Sequence, residues 1–103
     1  MMINATVWHK TVPSFSFNAV AENTNVNLSD FTKVAVLTVV EHGALDIAYT
    51  RSNNIDSAWI EGSDVVERFV SGGCRSTSMG DMIEVDGKFS LVAAFGFVPV
   101  VVK

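Results

Sequence analysis

Residues 33–55 read KVAVLTVVEHGALDIAYTRSNNI, and within that stretch the period of the apolar residues changes once. From Lys33 to Val40 the run is almost continuously apolar, the pattern of a strand covered on both faces, which makes it the candidate central strand. From Glu41 to Ile55, steps of about 100° per residue place Ala44, Leu45, Ile47, Ala48 and Ile55 on one broad side, with Asp46 and Thr50 opposite. This predicts one amphipathic helix, with the Ser-Asn-Asn run near its end suited to a C-terminal cap. Arg51 projects from the edge of the apolar face, its stem covering the core and its head reaching water. A strand feeding a helix, with more strand-like segments on either side, specifies the α+β class. The expectation is a small antiparallel or mixed β-sheet of three to five strands packed against one α-helix.

On the amino-terminal side, INATVWHKTV at residues 3–12 is rich in β-branched and aromatic types and reads as a first strand, closed by Pro13. After the short SFSF stretch, the Asn-rich segment 18–30 offers little to anchor a core and reads as a loop at the edge of the sheet. On the carboxy-terminal side, MIEVDGKFSLVAAFGF at residues 82–97 contains the clearest turn, Asp86-Gly87. A two-residue loop there would set Glu84 against Phe89 and mix polar with apolar groups on both faces. A three-residue loop with a bulge at Gly87 sets Glu84 against Lys88 and Ile83 against Phe89. The second register sorts Ile83, Phe89, Leu91, Ala93, Phe95 and Phe97 inward and Met82, Glu84, Lys88 and Ser90 outward, so it is the predicted one.

The chain of 103 residues is long enough for one domain with a single core. Hydrophobic residues make up 49% of it against 17% charged, a balance that folds rather than stays disordered. Seven Lys and Arg against eleven Asp and Glu leave a net charge of −4. The basic residues are scattered singly, which argues against broad binding to nucleic acid or to an anionic membrane. The acidic residues are too dispersed for a protein that imitates DNA. With one cysteine, Cys74, no intramolecular disulfide or multi-cysteine zinc site can form, and a reducing cytoplasmic setting is expected. The amino terminus has no secretory pattern, and the apolar runs are too short for a spanning helix.

The stretch Arg75-Ser76-Thr77-Ser78-Met79-Gly80-Asp81 is dense in short hydroxyl side chains, which bond back to the main chain and make turns. A structural turn is therefore the first reading. The competing one is an anion nest built from the Arg75 fork, the hydroxyls and the Gly80 amide, without the Lys and spacing of a P-loop. His9 and His42 have no ligands at zinc spacing, and His42 reads as a capping or surface residue. Cys74 beside Arg75 would have a lowered pKa, but no nucleophile-elbow context surrounds it, and it reads as an incidental small residue. Trp59 either folds back as a lid on the core or, if exposed, anchors a partner. No cofactor is expected.

The helix, the Asn53-Asn54-Ile55-Asp56-Ser57-Ala58-Trp59 segment and the segment from Arg75 to Val100 together resemble a group of short phage and mobile-element proteins related to the YodL-like domain. The matching residues are Asn53, Asn54, Asp56, Trp59, Arg75, Ser76, Thr77, Ser78, Gly80, Asp81, Gly87, Gly96 and Phe97. Met79 and Met82 stand where Val is expected. The resemblance covers residues 44–98, about half the chain, and supplies no catalytic residues. It implies a phage accessory protein acting in the host cytoplasm.

These readings lead first to a phage-encoded protein, not an enzyme, that binds a host macromolecule, in the first instance a protein, and modulates or inhibits it. Such a mode needs only about 800 Å² per partner. Its candidate contacts are Arg51, Trp59, Arg75, Ser76, Thr77 and Ser78. The alternative is a nucleotide- or nucleic-acid-binding module using the Arg75–Gly80 turn. A homodimer through an exposed edge at residues 97–102 is a further option, with Pro99 limiting pairing on one side.

Overall fold

The computed structural model describes residues 1–12, 21–55 and 57–103. The readings that rest on Pro13, on the SFSF stretch, on Asn18 and on Asp56 lie outside the described residues. Among the described residues, seven strands form one sheet: β1 (Met2–Lys10), β2 (Thr24–Val26), β3 (Phe31–Val40), β4 (Val65–Arg68), β5 (Met82–Val85), β6 (Lys88–Val92) and β7 (Phe97–Val102). Their order is β2-β7-β6-β5-β1-β3-β4, and every pairing is antiparallel except β2 with β7. One helix, α1 (Ala44–Arg51), packs on one face against β1, β3 and β5. The α+β class and the single-helix architecture are as expected, and the sheet is wider than three to five strands. The additional width comes from short strands, β2 and β4, whose sequences carry little apolar alternation; β2 falls inside the Asn-rich segment read as a loop and corrects that reading, since its backbone pairs with β7.

Alternation in β1 explains where the core sits. Ile3, Ala5, Val7 and His9 share the α1 side, and pairing sets Leu37 opposite Ala5, Ala35 opposite Val7, Val85 opposite Ala5 and Ile83 opposite Val7. With Ala48 of the helix these side chains form the buried centre. A bulge at Val34 in β3 brings Lys33 opposite Trp8 on the other face. There the Lys33 ammonium lies 4.5 Å from the Phe69 ring centroid, and the Trp8 and Phe89 rings stand 6.0 Å apart.

The central strand and the helix bounds are corrected. Val34, Ala35, Val36, Leu37 and Val39 are buried as predicted of an interior strand, but Val40 is exposed and the central place belongs to β5. The helix is shorter than residues 41–55: Gly43 at φ 77° halts it at one end. At the other end the side chains of Ser52 and Asn53 both donate to the Tyr49 carbonyl, leaving Ile55 exposed. The Ser-Asn cap itself is as expected.

The hairpin takes the register that the alternation argument rejected. Val85 pairs with Lys88 and Glu84 with Phe89, across a two-residue turn with Asp86 at φ 53° and Gly87 at φ 76°. Two left-handed residues are what a type I′ turn requires, and its twist matches that of the strands. Sorting by one inward face fails because this part of the sheet is buried on both: Met82 and Ile83, on opposite faces, are each 0% exposed. Nor does alternation continue past Val92, where the strand ends and Phe95 turns outward.

The segment 97–102 is no open edge, since β6 and β2 flank it on both sides. The edges are β2 and β4, of three and four residues, and short edges resist pairing with another chain.

Gly87→Ala should cost about 1–2 kcal/mol, read as a lower urea midpoint with unchanged slope. The added Cβ would meet nothing within 4 Å, so the whole cost is that of a left-handed backbone carrying a side chain.

Candidate functional site

The end of β1, the loop after α1 and the 74–81 turn meet in one polar cluster. Asp81 is its hub. Its carboxylate, 2% exposed, accepts both nitrogens of the Arg75 fork at 2.6 and 2.8 Å, the Lys10 amide at 2.7 Å and the Ser78 amide at 2.8 Å. A buried carboxylate is tolerated only when so paired. The Asp81 bonds raise Arg75 above its already high range. The arrangement is local at one end, since Ser78 precedes Asp81 by one turn, and long-range at the other, where it clamps the last residue of β1.

His9 enters the cluster from β1. Its Nε2 lies 2.9 Å from Thr77 Oγ1 and its Nδ1 3.7 Å from Cys74 Sγ. With Nε2–H donating to Thr77, Nδ1 is left to accept the thiol proton, and the opposite tautomer reverses both roles. Burial lowers His9 from 6.5 to about 4, Asp81 opposing the shift and Arg75 adding to it. Burial also pushes the Cys74 thiol up, with the Arg75 charge offsetting only part of the rise. That corrects the expectation that Arg75 would leave the thiol lowered: its charge does pull the thiol down, but by less than burial pushes it up, and the Asp81 charge adds to the rise. At neutral pH the pair is an uncharged thiol and an uncharged imidazole, opposite to the thiolate that a cysteine nucleophile needs.

The loop after the helix is bound to the same turn. Asn54 donates its side-chain amide to the Cys74 carbonyl and its backbone N–H to Ser76 Oγ, both at 2.8 Å. Trp59 donates its backbone N–H to Asn54 Oδ1 at 2.9 Å and its indole N–H to the Arg75 carbonyl at 2.8 Å. The Trp59 ring is thereby fixed at 4% exposure, 6.1 Å from the His9 ring.

The six candidate contacts therefore divide. Arg75, Ser76, Thr77 and Ser78 are brought together, but their polar groups are turned toward Asp81, Asn54 and His9. Thr77, 1% exposed, and Trp59 are corrected from contact residues to interior ones, because each spends its polar group on a buried partner. Arg51 stands apart and exposed, its guanidinium 2.5 Å from Asp64. The anion nest loses its donors in the same way: the Gly80 amide bonds to the Val92 carbonyl and the Arg75 fork to Asp81. Sequence reasoning missed His9 and Asp81 as members of the cluster. Parity in β1 was the available signal for His9, since residues 3, 5, 7 and 9 share a face and the first three are apolar. Among the described residues, no three His, Cys, Asp or Glu side chains are grouped to hold a metal ion.

No protein-family model, no curated protein and no solved structure matches the chain.

Two outcomes test this description. Arg75→Ala should destabilise the fold by roughly 3 kcal/mol in urea unfolding, because it strands a buried carboxylate, whereas the exposed-pair variant Arg51→Ala should cost less than about 1 kcal/mol. His9 also sets a pH dependence. Its pKa is lower folded than unfolded, so the unfolded chain binds the proton more readily, and stability is full above pH 6.5 and falls toward pH 4. Relative to His9→Gln, the wild type should lose on the order of 3 kcal/mol across that window, measured as unfolding midpoints at stepped pH.

Proposed function

We propose that this protein is a binding module, not an enzyme, which attaches to a protein partner and modulates or inhibits it by covering a surface. The observation that carries the reading is Phe95. It is 96% exposed on the four-residue connection between β6 and β7, where Ala93 N–H bonds the Gly96 carbonyl at 3.0 Å and Gly96 takes φ 74°. A large aromatic held outward on a pinned turn loses little conformational freedom on binding, and burying it is worth about 2 kcal/mol. Aromatic side chains are enriched in the centres of protein interfaces. The cluster around Asp81 supports the reading from the other side, because its groups serve the fold and its thiol–imidazole pair is neutral. The resemblance to phage accessory proteins makes a protein of the bacterial host, met in the host cytoplasm, the partner expected.

Phe95→Ala separates contact from stability, which neither Trp59→Ala nor Arg75→Ala can do. Tagged wild type and Phe95→Ala, matched for thermal midpoint, should differ in what they retain from host lysate, with at least tenfold less of one host protein on the variant. Equal retention by both, or retention of nuclease-sensitive material alone, would remove the support for a protein partner.

A further inference from the structure

One helix cannot cover seven strands. Eight residues make a rod about 12 Å long and 10 Å wide, while the sheet extends about 29 Å from β2 to β4 at a strand spacing near 4.8 Å. Beside the flank of α1, which lies over β1, β3 and β5, the Lys88 end of β6 and Phe97 of β7 border an open groove of about 470 Å³. That volume falls within the range of small-ligand clefts. Leu45, Val85 and Phe97 supply an apolar floor, each half-buried, while the exposed carboxylates of Glu41, Asp46 and Asp86 stand around it with one ammonium, Lys88.

We infer that this groove takes a basic segment of a protein partner, a Lys or Arg side chain laying its aliphatic stem on Leu45 and Phe97 and its cationic head among the carboxylates. Charge complementarity is the argument for that occupant. Three carboxylates against one ammonium leave the rim anionic, and the partial positive charge at the start of α1 is answered by Asp46 in its first turn. An anionic ligand would meet repulsion on every side but that of Lys88. A purely apolar one would leave the rim without partners, whereas Lys and Arg are the side chains that combine an apolar stem with a charged head. Phe97 is two residues from Phe95, so a partner seated on the exposed aromatic has chain beside the groove. The inference rests on the protein-partner reading and adds the chemistry of the partner.

The test is an amide chemical-shift titration of the ¹⁵N-labelled full chain with the peptide acetyl-Arg-Leu-Arg-amide, beside acetyl-Glu-Leu-Glu-amide and spermidine. Expected are saturable shifts confined to Leu45, Asp46, Asp86, Lys88 and Phe97 with the basic peptide, weakening as salt rises, and no saturation with the acidic one. Asp86→Asn, which keeps a residue tolerant of the left-handed turn, and Glu41→Gln should each weaken binding roughly two- to fivefold with the spectrum otherwise intact. Equal shifts with the acidic peptide, shifts scattered over the surface, or none at millimolar peptide would overturn the inference. Spermidine binding as tightly as the peptide would overturn it too, by showing that charge alone is read. Peptide failure with Phe95-dependent capture intact sinks the groove and leaves the binding reading standing. Loss of Phe95 dependence with peptide binding intact does the reverse.

Discussion

The carboxylate of Asp81 ties three parts of the chain that are remote in sequence. It takes the amide of Lys10 where β1 ends, the amide of Ser78 inside its own turn and the fork of Arg75 that closes the turn from above. Its backbone meanwhile begins the pairing with β6, since Val92 N–H donates to the Asp81 carbonyl at 2.8 Å. Through these bonds the buried carboxylate holds the entry of β5 beside the end of β1. Because β5 holds the central position in the sheet, the hairpin and everything beyond it inherit that placement.

The same turn then serves as an anchor for the segment that leaves the helix. Asn54 and Trp59 both bond to it, so the lid over His9 is held by hydrogen bonds as well as by apolar contact. Asn54, Trp59, Arg75, Ser76, Thr77, Ser78 and Asp81 all place polar groups within this cluster. They are a structural knot, and the exposed Phe95 and the groove beside α1 lie elsewhere, at the β6–β7 turn and along the flank of the helix.

Much of the fold was legible because it follows from period. The strand-to-helix change at Glu41, the Ser-Asn cap and the first strand each depend on neighbours within a few residues, where local rules govern. The hairpin shows where such rules stop. Its turn was readable from Asp86-Gly87, but its register depended on whether one face or both were buried, and Met82 has no partner in sequence to announce that it would be enclosed. The polar cluster was harder still. Arg75 and the hydroxyls signalled a turn, yet nothing near them signalled that His9 and Lys10, from the far end of the chain, would complete it.

Composition and pattern by themselves determined the α+β class, the single helix, the capped helix end and the presence of a turn at Asp86-Gly87, because each is settled by the conformational preferences of adjacent residues and the spacing of apolar ones. Tertiary structure alone decided the seven-strand order, the hairpin register, the commitment of Arg75 to Asp81 and the neutral state of His9 and Cys74. Those depend on which distant groups share a water-free space, and a hydrogen bond or a desolvated charge acquires its worth from that company.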